Sequence, residues 1–331
     1  MKEMKIGSND AGQRLDKFLG KALKNLPSSL LYKSIRTKKI KVNRKRAEIS
    51  QILVEGDTVQ LFLKDEFFGT SKDLAFTKLT PKIHILYEDE NIILCDKRAG
   101  MSVIPDEGTE DENCLISHIK AYLYQKGEYR PAEEHSFSPA LCNRIDRNTG
   151  GIVIAAKNAE ALRIMNEKIR NREIDKRYLC IAHGHFEKSA DRLTGYMRKD
   201  SEKNQVTIYD RNPGIPGVRT MITEYKVLGE RQNLSLLEVK LITGRTHQIR
   251  AHLASIGHPL LGDGKYGINR EDKKSGYKYQ ALYSYKLKFC FSTESGILSY
   301  LQNQEFCVHP SSIWFVAQQF PDFAMQEGKI T

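Results

Sequence analysis

A chain of 331 residues, 40% hydrophobic and 28% charged, is long enough for a sizeable core and for more than one domain. Nowhere do apolar residues approach the ~18 in a row that a membrane span needs, the opening MKEMKIGSND lacks the apolar segment of a secretory signal, and the six cysteines form no CxxC pair. A cytoplasmic protein with reduced, mostly buried thiols is therefore expected, rather than a membrane protein, a disulfide frame or a zinc site. The formal net charge of +11 is concentrated: residues 1–64 hold 15 Lys+Arg against 6 Asp+Glu, so +9 of it lies in the first fifth of the chain. A local positive patch points to a polyanion, and to nucleic acid over an anionic membrane surface because no long amphipathic, aromatic-anchored helix accompanies it.

In QRLDKFLGKAL, residues 13–23, the positions Leu15, Phe18, Leu19, Ala22 and Leu23 recur at helical spacing and predict an amphipathic helix. PSSLLYKSIRTKK predicts a short second helix, with serines after a proline as caps and Leu31 and Ile35 on the core side. Ile40 and Val42 alternate before a polar turn, and Val59, Leu61 and Leu63 alternate after Gly56-Asp57, predicting strands. Between Lys33 and Arg46 stand eight basic residues and no acid: Lys33, Arg36, Lys38, Lys39, Lys41, Arg44, Lys45 and Arg46. A charge run is usually a solvated face. This one keeps a single sign, which repels itself without an anionic partner, and it lies on periodic, foldable sequence. RLDKFL, LPSSLLYKSIRTKKIKVN and EGDTV, in that order, resemble the RNA-binding domain named after ribosomal protein S-four, the alpha-L motif. The resemblance covers residues 10–64 and implies that the second helix and the turn after it face structured RNA.

Residues 65–82 mix charges, Gly, Ser and Pro without periodicity and read as a linker between a small basic domain, 1–64, and a larger one, 83–331. The larger domain opens with IHILYEDENIILCDK, two short strands around the turn Glu88 to Asn91. GIVIAAK, 151–157, predicts a buried strand, and Asn158 caps a helix bearing Leu162, Met165 and Ile169. RYLCIAHGH and LSLLEVKLI predict strands. TGRTHQIRAHLASIGHP has helix signals at both ends, Thr246 as cap and Gly257 then Pro259 as stop, with Ile249, Leu253 and Ile256 on the buried face. ALYSYKLKFCF alternates Tyr283, Tyr285, Leu287, Phe289 and Phe291 with polar residues as a half-buried strand. Strands without regular interleaving helices indicate an α+β fold with a mixed, mostly antiparallel sheet.

GDGKYG, 262–267, has the wrong glycine spacing and no Ser or Thr after Lys265 for a phosphate loop, so it reads as a tight turn. His183 and His185 alternate on a strand, and His247 and His252 lie five apart on a helix; neither pair is placed as metal ligands. What remains is the stretch CNRIDRNTGG, 142–151. Asp146 follows Arg144 by two, so the pair shares a face of an extended segment, and the glycines after Thr149 permit a sharp turn and close backbone approach. Arg250, on the same face as His247 of the helix from Thr246, could pair with Asp146 and keep it ionised, which suits a nucleophile.

RIDRNTGGIVIAAKN, KRYLCIAHGH and ITGRTHQIRAHLASIGHPLLGDGKYG, in that order, resemble the three motifs of the RluA-type pseudouridine synthases, and LYEDENIILCDKRAGMSV resembles the strand pair that opens their catalytic domain. The resemblance implies a mixed, mostly antiparallel sheet crossed by a cleft. It implies Asp146 as nucleophile, Tyr178 stacked on the target uracil, and Arg250 as ion-pair partner of Asp146. Arg144 would enter the space left by the extruded nucleotide, and Arg147, Arg245 and His247 would contact RNA. The implied partner is structured RNA, most of all large-subunit ribosomal RNA, with tRNA second; no metal, nucleotide or redox cofactor is implied, and a monomer is the default. Flipping a base out of folded RNA costs a few kcal/mol, which phosphate contacts and an inserted side chain offset. Several positions depart from the family pattern: Asn143 for His, Asn148 for an acid, Thr149-Gly150-Gly151 for Thr-Ser-Gly, Arg98 for Pro, and Tyr283 for Leu-His. The departures at Asn143 and Gly150 favour a rival reading, a non-catalytic RNA-binding or ribosome-assembly factor. A glycosylase would need a second carboxylate to activate water, and none is evident.

Overall fold

The computed structural model describes residues 1–68, 74–105, 113–200, 205–267 and 269–326. Its first elements are β1 (Lys2–Lys5), α1 (Leu15–Ala22), α2 (Ser28–Arg36), β2 (Ile40–Val42), β3 (Lys45–Arg46) and β4 (Thr58–Leu61). The strands form an antiparallel sheet in the order β1-β4-β2-β3. Helical periodicity places Leu15, Phe18 and Leu19 of α1 and Leu31 and Ile35 of α2 in one core with Ile40, Val59 and Leu61 of the sheet. Full burial of a side chain such as Phe18, which is 0% exposed, contributes about 1.5–3 kcal/mol. The serines do not cap α2. Pro27 takes the N-cap position, its φ of −58° already suiting helix entry, and Ser28 and Ser29 fall inside the first turn. The β2–β3 hairpin turns on Asn43 and Arg44, both at positive φ (51° and 64°), as a two-residue turn between paired strands requires. Asn43 pins the turn by donating to Asp57 Oδ1 at 2.7 Å and accepting from the Thr58 amide at 2.9 Å.

The remaining elements are β5 (Ile85–Glu88), β6 (Ile92–Lys97), α3 (Leu115–Gln125), β7 (Ala140–Leu141), β8 (Gly150–Ala156), α4 (Ala159–Arg170), β9 (Ile174–His183), β10 (Ala190–Asp200), β11 (Gln205–Tyr209), β12 (Arg219–Arg231), β13 (Leu234–Leu241), α5 (Gln248–Ser255), α6 (Asn269–Lys274), β14 (Leu282–Phe289), β15 (Glu305–Cys307), α7 (Trp314–Gln319) and α8 (Pro321–Gln326). Their strands form one sheet in the order β11-β10-β12-β13-β9-β14-β8-β6-β5, with β15 on β14 and β7 on β8. Both faces are covered in the middle. Ile152 and Ile154 of β8 join α4 and α7 through Met165 and Phe315, while Val153 and Ala155 face α3 and α5 through Leu115, Ile119, Ile249 and Leu253. Strand β8 is accordingly buried at every residue. The half-buried reading of β14 fails over Leu282–Tyr285, all four of which are buried, because both faces of the sheet are covered there: Leu282 packs into the α3 and α5 core, and Tyr283 and Tyr285 into the α4 and α7 core. Asn158 caps α4 as expected, accepting from the Ala161 amide at 2.8 Å.

Part of the stretch read as a linker is docked: Phe76, in the 3-10 turn Ala75–Lys78, is buried and stacks on Tyr129 with centroids 5.9 Å apart. Residues 69–73 of that stretch lie outside the described residues. Residues 9 and 10, ahead of α1, also touch the loop at 134–136 and the start of α4. Asp10 Oδ1 accepts from the amide and hydroxyl of Ser136 at 3.0 and 2.5 Å, and Asn9 donates to Glu134 at 2.7 Å and accepts from the Ala159 amide at 2.9 Å.

Gly151 sits at φ 112° where β8 meets β14, and a Cβ there would lie 2.2 Å from the Ser284 carbonyl oxygen. Gly151→Ala should therefore cost ~3 kcal/mol or more, since strain and backbone overlap both oppose it. A lower urea midpoint against wild type is the readout.

Candidate active site

Strand β8 runs parallel to β14, through Tyr283 opposite Gly150 and Ser284 opposite Gly151. The loops entering two parallel strands arrive at the same end of the sheet. Loop 142–149 delivers Asp146, and the turn at 260–267, on the way from α5 to β14, delivers Asp263. Arg250 on α5 lies between them and holds both. Its Nε and Nη2 donate to Asp263 Oδ2 and Oδ1 at 2.7 and 2.8 Å, and its Nη1 donates to Asp146 Oδ2 at 2.9 Å. The loops are stitched again where Gln280 Nε2 donates to Thr149 Oγ1 at 3.1 Å.

The two carboxylates differ in exposure, and this separates their roles. The Asp263 side chain is 0% exposed and that of Asp146 is 26% exposed. Asp263 Oδ1 also accepts from the amides of Lys265 and Tyr266 at 2.8 and 3.2 Å. Burial works to raise the Asp263 carboxyl, but the Arg250 guanidinium and those amides outweigh it and hold it below its ordinary value. For Arg250, burial opposes the charge and the two carboxylates restore it, so the guanidinium is pushed up and stays cationic. At Asp146 the protein donors gather on one oxygen. Oδ2 receives Arg250 and lies 4.0 Å from His247 Nε2, while no donor among the described residues reaches Oδ1.

Lys97 supports the Asp146 loop from beneath. Only 1% exposed, its ammonium donates to the carbonyls of Arg98, Met101 and Arg147 at 3.1, 2.8 and 2.9 Å. Burial pulls it down to about 7, with the Asp146 charge opposing. Tyr178, on β9 opposite Ser284 of β14, is 6% exposed. Burial pushes its phenol up to about 12, against a hydrogen bond with Ser284 and together with the Asp146 charge, so it stays protonated at neutral pH.

Helix α5 starts differently from expectation. Thr246 is exposed and does not cap it; His247 takes that position in a left-handed conformation, φ 54° and ψ 20°. The polar work at this end falls to Gln248, which accepts from Thr243 Oγ1 and the Arg245 amide at 2.8 and 3.1 Å and donates to the Ile222 carbonyl at 2.9 Å. Ile256, expected on the core face, is 41% exposed because the helix ends at Ser255.

Of the residues expected to touch RNA, Arg144 and Arg147 are exposed on the Asp146 loop, and Arg245 lies at the rim with Nε donating to the Thr220 carbonyl at 3.4 Å. His247 is inside the site, its Nδ1 2.9 Å from the Tyr266 hydroxyl. The eight basic residues of the small domain stand apart from this cluster. Lys33, Arg36, Lys38, Lys39, Arg44, Lys45 and Arg46 are exposed, and Lys41 is half-buried with its ammonium 5.5 Å from the Phe62 ring. None of the eight forms an ion pair among the described residues. Asp263, Lys97 and Tyr266 were not singled out from sequence, although all three lie within the quoted motif segments.

Three of the departures from the family pattern, Asn143, Gly150 and Tyr283, are absorbed by packing. Asn143 is buried, its Oδ1 accepting from the Ile154 amide at 2.7 Å. A Cβ on Gly150 would lie 2.5 Å from the Tyr283 ring, whose hydroxyl donates to Asp96.

The family model described as RNA pseudouridylate synthase matches residues 91–255. An uncharacterized RNA pseudouridine synthase of Mycoplasma genitalium is 33% identical over 290 residues, 86% of this chain and 88% of that one. Ribosomal large subunit pseudouridine synthase C of Vibrio parahaemolyticus is 30% identical over 277 residues, 82% of each. The solved structure of human RNA pseudouridylate synthase domain containing 1 shares the fold, with a TM-score of 0.55 at 20% identity over 76% of this chain and 96% of that one.

Asp263→Ala leaves a buried guanidinium short of its fully buried partner and should cost ~3–5 kcal/mol. Because the folded-state carboxyl lies below its ordinary 3.8, the stability it contributes is complete above that value and is lost as pH falls through the folded one. Acid titrations of urea midpoints should show a shallower decline below about pH 4 in the variant than in wild type.

Proposed function

Since the chain belongs to the RNA pseudouridylate synthase family and is an RNA pseudouridine synthase, an isomerase, we propose that Asp146 is its nucleophile and that structured RNA of the large ribosomal subunit is its substrate. The observation that carries the first part is the asymmetry of the Asp146 carboxylate: Arg250 holds Oδ2 at 2.9 Å while no donor among the described residues reaches Oδ1. A carboxylate oxygen on a side chain that is held through its twin and partly exposed is what covalent catalysis by a carboxylate needs. In the isomerisation the N1–C1′ bond of uridine breaks, the uracil turns, a C5–C1′ bond forms, the C5 proton leaves and N1 gains one. No net oxidation occurs.

Tyr178 forms the floor against which the uracil ring packs, and Arg144 fills the gap that the extruded nucleotide leaves. Asp263 is no candidate to activate water as a glycosylase would require, being wholly buried and clamped by Arg250. The departures that favoured a non-catalytic factor lie in packing at Asn143 and Gly150, away from the reacting carboxylate. The ribosomal target is supported by relatives such as the Vibrio enzyme, named for the large subunit, and by the basic residues of 33–46, seven of them exposed and none in an ion pair among the described residues. Those residues form the RNA-binding face of an alpha-L-type domain, residues 1–64. They supply affinity and placement through phosphates, leaving sequence choice to the cleft and to RNA shape.

Base-resolution pseudouridine maps of large-subunit ribosomal RNA and tRNA should lose the same sites in cells lacking the gene and in cells carrying Asp146→Asn. The purified variant should keep its RNA affinity; sites surviving in Asp146→Asn would sink the nucleophile assignment. Replacing Lys38, Lys39, Arg44 and Lys45 by Gln should weaken RNA binding and reduce the slope of log K against log salt by roughly 3, about one unit per lost phosphate contact or slightly less. Binding measured from low to physiological salt checks this, and an unchanged slope would refute the role of the basic face.

A further inference from the structure

We infer that His247 is a positioning residue for Asp146, acting as a neutral N–H donor that Tyr266 orients, rather than a contact for RNA. The inference rests on the reading of Asp146 as nucleophile and specifies how that carboxylate is held.

Three observations converge on it. The His247 backbone is left-handed, a conformation that a residue with a Cβ adopts at a cost of about 1–2 kcal/mol. Such strain is kept where the surroundings determine the side chain's place, and here the place is between two site residues. Next, the imidazole bridges them: Nδ1 lies 2.9 Å from the Tyr266 hydroxyl, and Nε2 lies 4.0 Å from Asp146 Oδ2. Finally, the bridge closes a ring of interactions. Asp146 meets Arg250, Arg250 meets Asp263, Asp263 Oδ1 holds the Tyr266 amide at 3.2 Å, and the Tyr266 hydroxyl meets His247. The Tyr266 ring also lies under the Arg250 guanidinium, 5.3 Å away.

The charge state follows from the neighbours. Burial, and then the Arg250 and Lys265 cations, disfavour imidazolium, against the opposing pull of Asp146 and Asp263, and the net effect is downward. A neutral imidazole facing a carboxylate through Nε2 carries its proton there, which makes Nδ1 the acceptor of the Tyr266 hydroxyl. The Nε2–H thus points to the oxygen that Arg250 already holds. A closure of about 1 Å completes the hydrogen bond, a tightening common when substrate binds. A neutral donor suits this position better than a second cation would. It fixes the carboxylate rotamer and reserves Oδ1 for substrate, and it adds less charge stabilisation to the anion that must react.

The test uses the full-length protein and a structured RNA carrying a site found by the maps above. Single-turnover rates and equilibrium RNA affinity are measured for wild type, His247→Phe, His247→Gln, Tyr266→Phe and Asp146→Asn. His247→Phe should slow turnover ~10- to 100-fold with affinity within about twofold of wild type, as expected for an interaction needed in the chemical step. His247→Gln, which keeps a neutral N–H near the same point, should recover most of the rate. Tyr266→Phe should show the same pattern in smaller degree, and it decides the matter if His247→Phe does not fold. Unchanged rates in the folded variants, or a loss of affinity that accounts for the whole effect, would overturn the inference. Activity in Asp146→Asn would instead overturn the reading on which it rests.

Discussion

One buried guanidinium, that of Arg250, organises the catalytic half of the molecule. A cation out of water must be neutralised by a well-placed partner, and Asp263, with two short hydrogen bonds and no exposure, does that completely. Asp146 is the second anion on the same cation. The three groups together carry one net negative charge, and Asp146 is the carboxylate of the two that reaches solvent. The arrangement leaves the Asp146 carboxylate partly exposed while Arg250 fixes its position from the inside.

This triad is possible because of one irregularity in a sheet otherwise built from antiparallel pairs. The short parallel contact of β8 with β14 brings two loops that are more than a hundred residues apart in sequence to the same end. Beyond that contact the strands part company, β8 pairing with β6 and β7 while β14 pairs with β9 and β15. The two cores on either face of the sheet hold the junction, so the loops are presented by rigid elements, as a site that must keep its geometry requires.

Much of this was legible in the residues. Helical spacing gave α1 and the body of α5, and an arginine on the polar flank of α5 was correctly paired with Asp146. The fully apolar run of β8 announced burial on both faces. Other features were hidden for identifiable reasons. Asp263 stands between two glycines in a segment that reads as a surface turn, and nothing local shows that a guanidinium from another element will bury it. Lys97 looks like any lysine at a strand end; its burial follows from carbonyls up to fifty residues away. The start of α5 misled because Thr246 has the right chemistry for a cap, whereas Gln248, reaching into the β12–β13 region, ties down the backbone instead. The alternation along β14 suggested one wet face, yet Ser284 on that face is buried too, alongside Tyr283 and Tyr285, whose hydroxyls meet Asp96 and Glu238.

The contact between Gly150 and Tyr283 also ties two positions into one packing unit. A side chain at 150 and this aromatic ring cannot share the space, since even a Cβ would come within 2.5 Å of the ring. The size tolerated at either position is therefore conditional on the other: a serine at 150 overpacks the site while the ring is present and is relieved only when residue 283 is made smaller as well.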